Sequence, residues 1–257
     1  MKRLEGKMAL VTGASSGIGR GVAIAFAEEG ADVAINYPNK SQEKNAEETA
    51  AAVSKAGRKA LLVQADVSKD KPVKNMVDKV LGEFGRIDIL VNNAAYARGP
   101  DRVPTVELDN DIFQKVIDIK VRGTYLCSKA AAKVMLAQGE GGKIVNISSG
   151  AGKTGSANTL AYCAACFAQV GMTQTLAREL GPDGINVNCV CPGAVDTARM
   201  DDLVYTEAWD QMAQATPIGR NGTDEEVGNF VAYLCTKAAS WIHGQSINID
   251  GGDFMEH

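Results

Sequence analysis

The sequence has few aromatic residues, almost no histidine and no long hydrophobic run. Aromatic side chains make up 5% of the 257 residues, and the two histidines, at positions 243 and 257, lie in C-terminal segments and form no triad pattern. No segment is long and apolar enough for a signal peptide or a membrane-spanning helix. The expected location is therefore cytoplasmic.

A strong charge of either sign is also lacking. The formal net charge is -4, which gives no electrostatic reason to bind nucleic acid or an anionic membrane. Hydrophobic residues (45%) and charged residues (23%) occur in proportions typical of a globular protein with a sizeable core. The length suits one large α/β domain or two small ones.

Six cysteines, at positions 127, 163, 166, 189, 191 and 235, are expected to be reduced thiols. The spacings Cys163-x-x-Cys166 and Cys189-x-Cys191 superficially suggest a zinc site. All four residues lie in apolar, regularly patterned segments, however, whereas structural zinc prefers short knuckle loops. We therefore predict buried thiols and no metal.

Short apolar runs alternate with segments of helical period along the chain. Continuous apolar strands indicate a parallel sheet buried on both faces, with the helices as its crossovers. The pattern predicts one α/β domain over 1–257, a doubly wound, Rossmann-like parallel sheet of about seven strands with helices on both faces. The predicted strands are Met8–Val11, Val33–Ile35, Ala60–Val63, Ile87–Val91, Lys143–Ile147, Asn186–Val190 and Ser246–Ile249, and the predicted helices span 17–29, 42–56, 70–84, 107–136, 160–180 and 224–236.

Residues 194–222 interrupt this alternation with aromatic residues and methionines placed among charges. A long insertion late in an α/β domain is commonly a substrate lid. A helical surface excursion without function is the alternative. The residues expected to line the substrate are Tyr96, Arg98, Met200, Tyr205 and Trp209.

A glycine-rich turn follows the first predicted strand. Glycines at 13, 17 and 19 permit a tight turn, close backbone approach to a pyrophosphate and tight packing of helix on strand. The helix that follows presents unpaired N–H groups to phosphates. Its place between a strand and a helix near the N-terminus is the context that a dinucleotide site needs.

Further motifs follow in order along the chain. They are TGASSGIG at 12–19, Asp66-Val67 after the third strand, Asn92-Asn93-Ala94-Ala95 after the fourth, Ile147-Ser148-Ser149, Tyr162, Pro192-Gly193 with Thr197, and the tail 244–252. In this order they resemble the motifs of the short-chain dehydrogenase/reductase family, and within it those of 3-oxoacyl-carrier-protein reductase-like members. The resemblance covers the whole chain and implies an NAD(P)-dependent oxidoreductase acting on a carbonyl/alcohol pair.

The resemblance also implies how the chain holds its cofactor. The residues implied at the pyrophosphate and adenosine ribose are Gly13, Ser15, Ser16, Ile18 and Gly19. Those implied at the adenine are Asp66 and Val67, with Asn93 and Ala94 lining the ribose side. Those implied at the carboxamide and the nicotinamide face are Pro192, Gly193, Val195 and Thr197.

The cofactor preference is expected to depend on the end of the second strand. An acid there would accept hydrogen bonds from the ribose hydroxyls and repel a 2'-phosphate. The chain instead has Tyr37, followed by Lys40, which can meet a phosphate, although no arginine stands nearby. We predict NADP, with NAD as the alternative.

In the family, an Asn, a Ser, a Tyr and a Lys cooperate in catalysis. The resemblance implies that Tyr162 transfers the hydroxyl proton while a hydride moves, and that Ser149 orients the carbonyl. Lys120 stands in the place of the family's Asn, and Cys166 stands in the place of its Lys. Positions 162 and 166 share one helix face, so the cation that would hold the phenol's proton equilibrium near neutral pH is missing there.

These two departures suggest that the lysine has exchanged position. Lys120 has a flexible stem and can present its ammonium to Tyr162 from the other side. Two independent substitutions in a chain that has lost the reaction are the alternative, and an artificially introduced Cys166 would leave Lys120 unexplained. A nucleophilic Cys166 would need a cationic neighbour, a part that Lys120 can also take.

Three functions remain open from the sequence. The first is an NADP-dependent reductase or dehydrogenase of a small carbonyl or alcohol, with a centre of Lys120, Ser149 and Tyr162. The second is a non-redox lyase, dehydratase or isomerase on the same fold, and the third is a catalytically silent nucleotide-binding subunit. The resemblance further implies a homotetramer formed through 107–136, 160–180 and the final strand.

Overall fold

A computed structural model describes residues 2–96, 99–197 and 206–255, with only the backbone at 206–208. Its strands are β1 Met8–Val11, β2 Asp32–Tyr37, β3 Ala60–Gln64, β4 Ile89–Asn92, β5 Gly142–Ile147, β6 Ile185–Pro192, β7 Val195–Asp196, β8 Gly222–Thr223 and β9 Ser246–Ile249. Its α-helices are α1 Gly17–Glu28, α2 Glu43–Lys55, α3 Asp70–Phe84, α4 Asn110–Ile117, α5 Gly123–Gln138, α6 Leu160–Leu180, α7 Thr206–Ala215 and α8 Asp224–Leu234.

Seven parallel strands form one sheet in the order β3-β2-β1-β4-β5-β6-β9. The predicted sheet is confirmed, and each predicted strand boundary lies within two residues of the observed one. The chain turns from one half of the sheet to the other between β1 and β4. In doubly wound sheets, ligands bind at this switch point, beyond the carboxyl ends of the strands.

Both faces of the sheet are covered, which explains why the strands are continuous apolar runs. Val11 of β1 packs on one face in a cluster that includes Phe26 of α1 and Val231 of α8. Leu10, its neighbour, packs on the opposite face in a cluster that includes Met76 of α3 and Met135 of α5. Alternate residues of a buried strand therefore serve two separate cores.

The prediction of one uninterrupted helix over 107–136 is wrong. The segment forms α4 and α5, joined by a π-helical turn over Asp118–Arg122. A Cβ atom on Gly123 would lie 2.8 Å from Cγ2 of Val67, so the glycine allows the helix to pass close to β3's exit loop. The Thr124 hydroxyl donates to the Lys120 carbonyl at 2.7 Å, a local bond that competes with the regular helical ladder. Such turns are frequent at functional sites.

The remaining sequence expectations concern thiols, membrane spans and the proposed lid. All six cysteines are buried and free, as predicted. No helix in the described ranges is long and apolar enough to cross a membrane. The insertion at 194–222 contains β7 and α7 and ends at the first residue of β8. Met200, Tyr205 and the separate Arg98 lie outside the described residues.

Candidate active site

The glycine-rich turn lies at the switch point between β1 and α1. Gly13 adopts a left-handed φ of 62°, and a Cβ atom there would lie 2.9 Å from the Cα of Ala94. A Cβ atom on Gly19 would lie 2.4 Å from the Gly13 carbonyl oxygen, so a side chain at either position would displace the backbone. Ser16 precedes α1 without capping it through its side chain, and the first turn contains no acid. The first-turn N–H groups therefore remain available to a phosphate.

Two polar residues that the sequence interpretation missed hold this turn in place. The side-chain oxygen of Asn36 accepts a hydrogen bond from the Gly13 amide at 3.2 Å. The Thr12 hydroxyl accepts bonds from the amides of Asn93 and Ala94 at 2.9 and 3.1 Å. Asn93 also donates through its side chain to the Thr12 and Gly13 carbonyls, both at 3.0 Å. Thr12 directly follows β1, and Asn36 lies near the end of β2; both are buried. A polar residue at the end of an apolar strand was the sequence signal that could have indicated their role.

The adenosine end contains a carboxylate that the sequence interpretation also missed. The Tyr37 hydroxyl donates to Oε1 of Glu43 at 3.2 Å. Burial and then the negative charge of Glu43 raise the pKa of Tyr37. Asp66 accepts bonds from the Ser68 amide at 3.0 Å and the Ser68 hydroxyl at 2.7 Å, which fixes the loop after β3. Val67 is buried beside it.

Of the residues expected at the nicotinamide, Thr197 approaches the same turn, and Gly193 packs against the segment after β9. The Gly193 amide donates to the Ile249 carbonyl at 3.1 Å, and a Cβ atom on Gly193 would lie 2.8 Å from Cβ of Asp250. Thr197 reaches back to Gly17, where a Cβ atom would be 3.6 Å from its side chain. The segment after β6, from Pro192 through β7, therefore reaches the glycine-rich turn at Thr197. This cradle fits a dinucleotide.

Ser149 and Tyr162 are brought together beyond the end of β5. The Ser149 hydroxyl accepts a bond from the Ala151 amide at 3.2 Å, which caps a short 3-10 turn before α6. Tyr162 lies in the first turn of α6. Burial and the neighbouring Cys166 raise the pKa of Tyr162 above its ordinary value, although a hydrogen bond with Ser149 and the charge of Arg102 act in the opposite direction. The phenol is therefore protonated at neutral pH.

Lys120 extends from the π-helical turn into the site and is 3% exposed. Its ammonium donates to the Ile147 carbonyl at 2.9 Å and lies 5.6 Å from the centre of the Tyr162 ring. The helix that follows this π-helical turn is held against α6, because the Gln169 side-chain amide donates to the Thr124 hydroxyl at 2.9 Å. The structure thus brings the lysine to the face of the Tyr162 ring.

Cys166 is fully buried one helical turn after Tyr162. Its backbone carbonyl accepts a bond from the Ser148 hydroxyl at 3.0 Å. Burial raises the pKa of the Cys166 thiol, although the Lys120 ammonium acts to lower it. A buried, neutral thiol is a poor nucleophile, so this geometry argues against the nucleophilic role considered for Cys166.

Arg102 is a further cation at Tyr162 that no sequence pattern indicated. Its guanidinium carbon lies 4.2 Å from the centre of the Tyr162 ring. It follows the loop after β4 and is paired with the buried Asp101, whose Oδ2 lies 3.6 Å from Nε. The Tyr162 ring therefore has a cation within stacking distance in addition to Lys120.

Two of the predicted substrate-lining residues fall within the described chain. Tyr96 is partly buried and packs against the cluster of Val116, Ala161 and Ala165, beside the start of α6. The Trp209 indole donates to the Asp196 carboxylate and so ties α7 to β7. Tyr96 is thus near Tyr162, whereas the contact of Trp209 links the parts of the insertion to each other.

A glycine-rich turn at the switch point and a serine–tyrosine pair beyond the end of β5 are the arrangement expected of a dinucleotide-dependent oxidoreductase. A family profile described as Enoyl-(Acyl carrier protein) reductase matches residues 13–253. A 3-oxoacyl-[acyl-carrier-protein] reductase of Staphylococcus aureus is 39% identical over 249 residues, covering 97% of this chain and 98% of its own. A sorbitol dehydrogenase of Cereibacter sphaeroides is 37% identical, covering 98% and 99%.

A solved structure of a Burkholderia cenocepacia short-chain dehydrogenase in complex with NADP superposes with a TM-score of 0.89 at 38% identity, covering 98% of this chain and 99% of that one. The chain belongs to the short-chain dehydrogenase/reductase family, whose members are oxidoreductases.

Proposed function

We propose that this protein is an NADP-dependent reductase of a small ketone or aldehyde, and that it works through Tyr162, Ser149 and Lys120. The observation that carries the proposal is the convergence on Tyr162. The Ser149 hydroxyl acts to lower the pKa of its phenol, and the Lys120 ammonium lies 5.6 Å from the centre of its ring. Protein side chains thus supply a proton donor, a polar orienting group and a cation at one point.

The three side chains have separate roles in this reaction. Tyr162 is protonated at neutral pH because burial raises its pKa, so it can donate its proton to the carbonyl oxygen. The Ser149 hydroxyl orients that oxygen. NADPH supplies the hydride when it is bound. Lys120 then stabilises the phenolate that remains, since a cation near a partly buried anion acts through a low effective dielectric.

The preference for NADP rests on the end of β2. Tyr37 occupies the position at which an acid would repel a 2'-phosphate, and Lys40 is exposed three residues later. The nearby Glu43 carboxylate is engaged by the Tyr37 hydroxyl. The similar Burkholderia cenocepacia structure is described as a complex with NADP. The residues that would hold the dinucleotide are those of the glycine-rich turn, the loop after β3 and the β6–β7 loop.

Oligomerisation and substrate closure complete the proposal. Tyr125 and Leu136 of α5 and Phe167 of α6 are exposed large apolar side chains, which supports association through these two helices into a homotetramer. The insertion at 194–222 serves as the substrate lid. A cytoplasmic location accords with this function.

The test combines nucleotide binding with turnover. NADPH and NADH are titrated by fluorescence, and NADPH consumption is followed on a panel of ketones and aldehydes with wild type and Tyr162→Phe. Turnover that needs both NADPH and the Tyr162 hydroxyl supports the proposal. Binding without turnover on any carbonyl would instead indicate a silent subunit, and product without NADPH consumption would indicate a lyase or isomerase.

A further inference from the structure

Arg102 presents a guanidinium to the active site with few contacts of its own. The group lies 4.2 Å from the centre of the Tyr162 ring, and its side chain is 21% exposed. Within the described residues, Asp101 is the carboxylate paired with it, at 3.6 Å from Nε, and Nε is buried without a hydrogen-bond partner. The terminal N–H groups of Arg102 also form no hydrogen bond with the described residues, and such donors beside a reacting centre are suited to an anionic ligand.

The balance of charge around Tyr162 points in the same direction. Lys120 and Arg102 each bring a positive charge to the ring, whereas Asp101 is the carboxylate recorded against them in the described part of the chain. Burial keeps Tyr162 and Cys166 neutral at neutral pH by raising the pKa of each. Among the described residues, one positive charge at this partly buried site therefore lacks a counterion, and a monoanion would compensate it.

We infer that Arg102 recognises a carboxylate on the substrate, located a few bonds from the carbonyl that Tyr162 protonates. The inference rests on the proposed reductase function and specifies its substrate class as oxo acids. A carboxylate suits the site because the planar guanidinium fork binds it through two parallel hydrogen bonds. Its single negative charge also matches the one positive charge that has no counterion among the described residues, whereas a doubly charged phosphate does not match it.

The position of the Arg102 guanidinium over the Tyr162 ring restricts where a substrate carboxylate can bind. A guanidinium that lies against an aromatic face has a restricted orientation, so less conformational entropy is lost when it binds an anion. The carbonyl oxygen must reach the hydroxyl of the same tyrosine that Arg102 covers. The distance between the reacting carbonyl and the carboxylate is therefore set by one side chain, and substrates whose two groups are close are favoured.

The experiment compares an oxo acid with its neutral amide in a complex that cannot react. Calorimetric titrations of 2-oxobutanoate and 2-oxobutanamide are made with and without NADP⁺, because a ketone and the oxidised cofactor do not exchange hydride. Charge-assisted hydrogen bonds predict that wild type binds the acid about 10-fold to 100-fold more tightly than the amide. In Arg102→Gln this ratio should approach one, and in Arg102→Lys, which keeps the charge without the fork, it should be intermediate.

Arg58→Gln is the matched control. Its side chain is 18% exposed and ion-paired with Glu5 and Asp32. It precedes β3 and so lies at the amino ends of the parallel strands, whereas the site lies beyond their carboxyl ends. This variant should keep the wild-type ratio, and thermal unfolding of each variant checks that it is folded. An equal ratio in wild type and folded Arg102→Gln, or no binding of the acid to wild type, overturns the inference.

The outcome is separate from that of the proposed function. Turnover of neutral ketones that depends on Tyr162, together with no preference for the acid, would leave the reductase intact and remove the role of Arg102. A preference for the acid that depends on Arg102, together with no hydride transfer to any carbonyl, would retain the carboxylate site and remove the reductase.

Discussion

The ammonium of Lys120 lies 5.6 Å from the centre of the Tyr162 ring, while it donates a hydrogen bond to the Ile147 carbonyl at 2.9 Å. It approaches the tyrosine from a π-helical turn rather than from the helix that carries Tyr162. Cys166, which the resemblance places at the family's lysine position, is buried one turn further along that helix. The Tyr162 ring thus has a cation at its face, and this cation comes from the π-helical turn and not from α6.

The first prediction concerns rebuilding the family arrangement. Cys166→Lys alone should help little, because two ammonium groups near one phenol repel and depress the pKa of at least one lysine. The double variant Cys166→Lys/Lys120→Asn should behave as a conventional reductase with a shifted pH profile. Steady-state rates on one accepted ketone check both. A single variant that outperforms the double would contradict this reasoning.

The pH dependence of carbonyl reduction should follow the phenol. Burial and Cys166 raise the pKa of Tyr162, so the proton donor persists through neutral pH and the rate should fall only in the alkaline range. Alcohol oxidation needs the deprotonated form and should rise over the same alkaline range. In the double variant an ammonium one turn away favours the phenolate, so both limbs should move to lower pH. If the kcat/KM profiles of wild type and the double variant coincide, Tyr162 is not the group whose ionisation sets the pH dependence.

Cofactor preference can be reversed at Tyr37. Tyr37→Asp introduces an acceptor for the ribose hydroxyls and a charge that repels the 2'-phosphate, so NADH should bind more tightly than NADPH. Tyr37→Phe is the control, since it removes the hydroxyl bonded to Glu43 without adding charge. Fluorescence titration gives both dissociation constants. Wild type that binds NADH at least as well as NADPH would show that this pocket is wrongly assigned.

The stability of the fold should depend on the carboxylate of Asp88, which directly precedes β4. Oδ2 accepts bonds from the Met8 amide at 2.9 Å and from Arg86 Nε at 2.8 Å. Burial acts to raise the pKa of Asp88, but Arg86, the Met8 amide and Lys7 outweigh it and lower the pKa. Asp88→Asn should therefore reduce the free energy of unfolding by about 2 kcal/mol at neutral pH.

The sign of the pH dependence follows from the lowered pKa. The folded state favours the charged carboxylate, so its stabilisation is complete above the unfolded pKa and is lost as pH falls through the folded one. The difference between wild type and Asp88→Asn should shrink below about pH 4. Urea unfolding across pH measures it, with the exposed Asp78→Asn as control. A difference that persists at low pH would mean that the carboxylate charge is not its source.

The sequence predicted the sheet well because a strand that is buried on both faces has a recognisable local pattern. Each strand is a run of apolar residues, so its position does not depend on knowing the partner. The break between α4 and α5 has no such local pattern in the sequence. It depends on the close approach of Gly123 to Val67, which are distant in sequence, and helical periodicity continues through a π-helical turn.

The same distinction applies to the site. The proximity of Ser149 and Tyr162 was predictable from their spacing and motifs, and Lys120 became a candidate through the position that the resemblance implies for it. Arg102 was not, because its contact with the Tyr162 ring exists only once the loop after β4 has folded over α6. Glu43 was missed for a related reason, since it reaches Tyr37 from the start of α2.

The most direct test of the remodelled centre is the turnover of Lys120→Ala relative to wild type on one accepted ketone. Lys120→Met, of similar length, guards against an effect of the cavity, and the exposed Lys115→Ala of α4 is the matched control. Both Lys120 variants should lose about 10²–10⁴ in kcat, the usual scale for an acid–base component, while NADPH affinity falls much less. Folded Lys120 variants that retain the wild-type kcat would contradict the account.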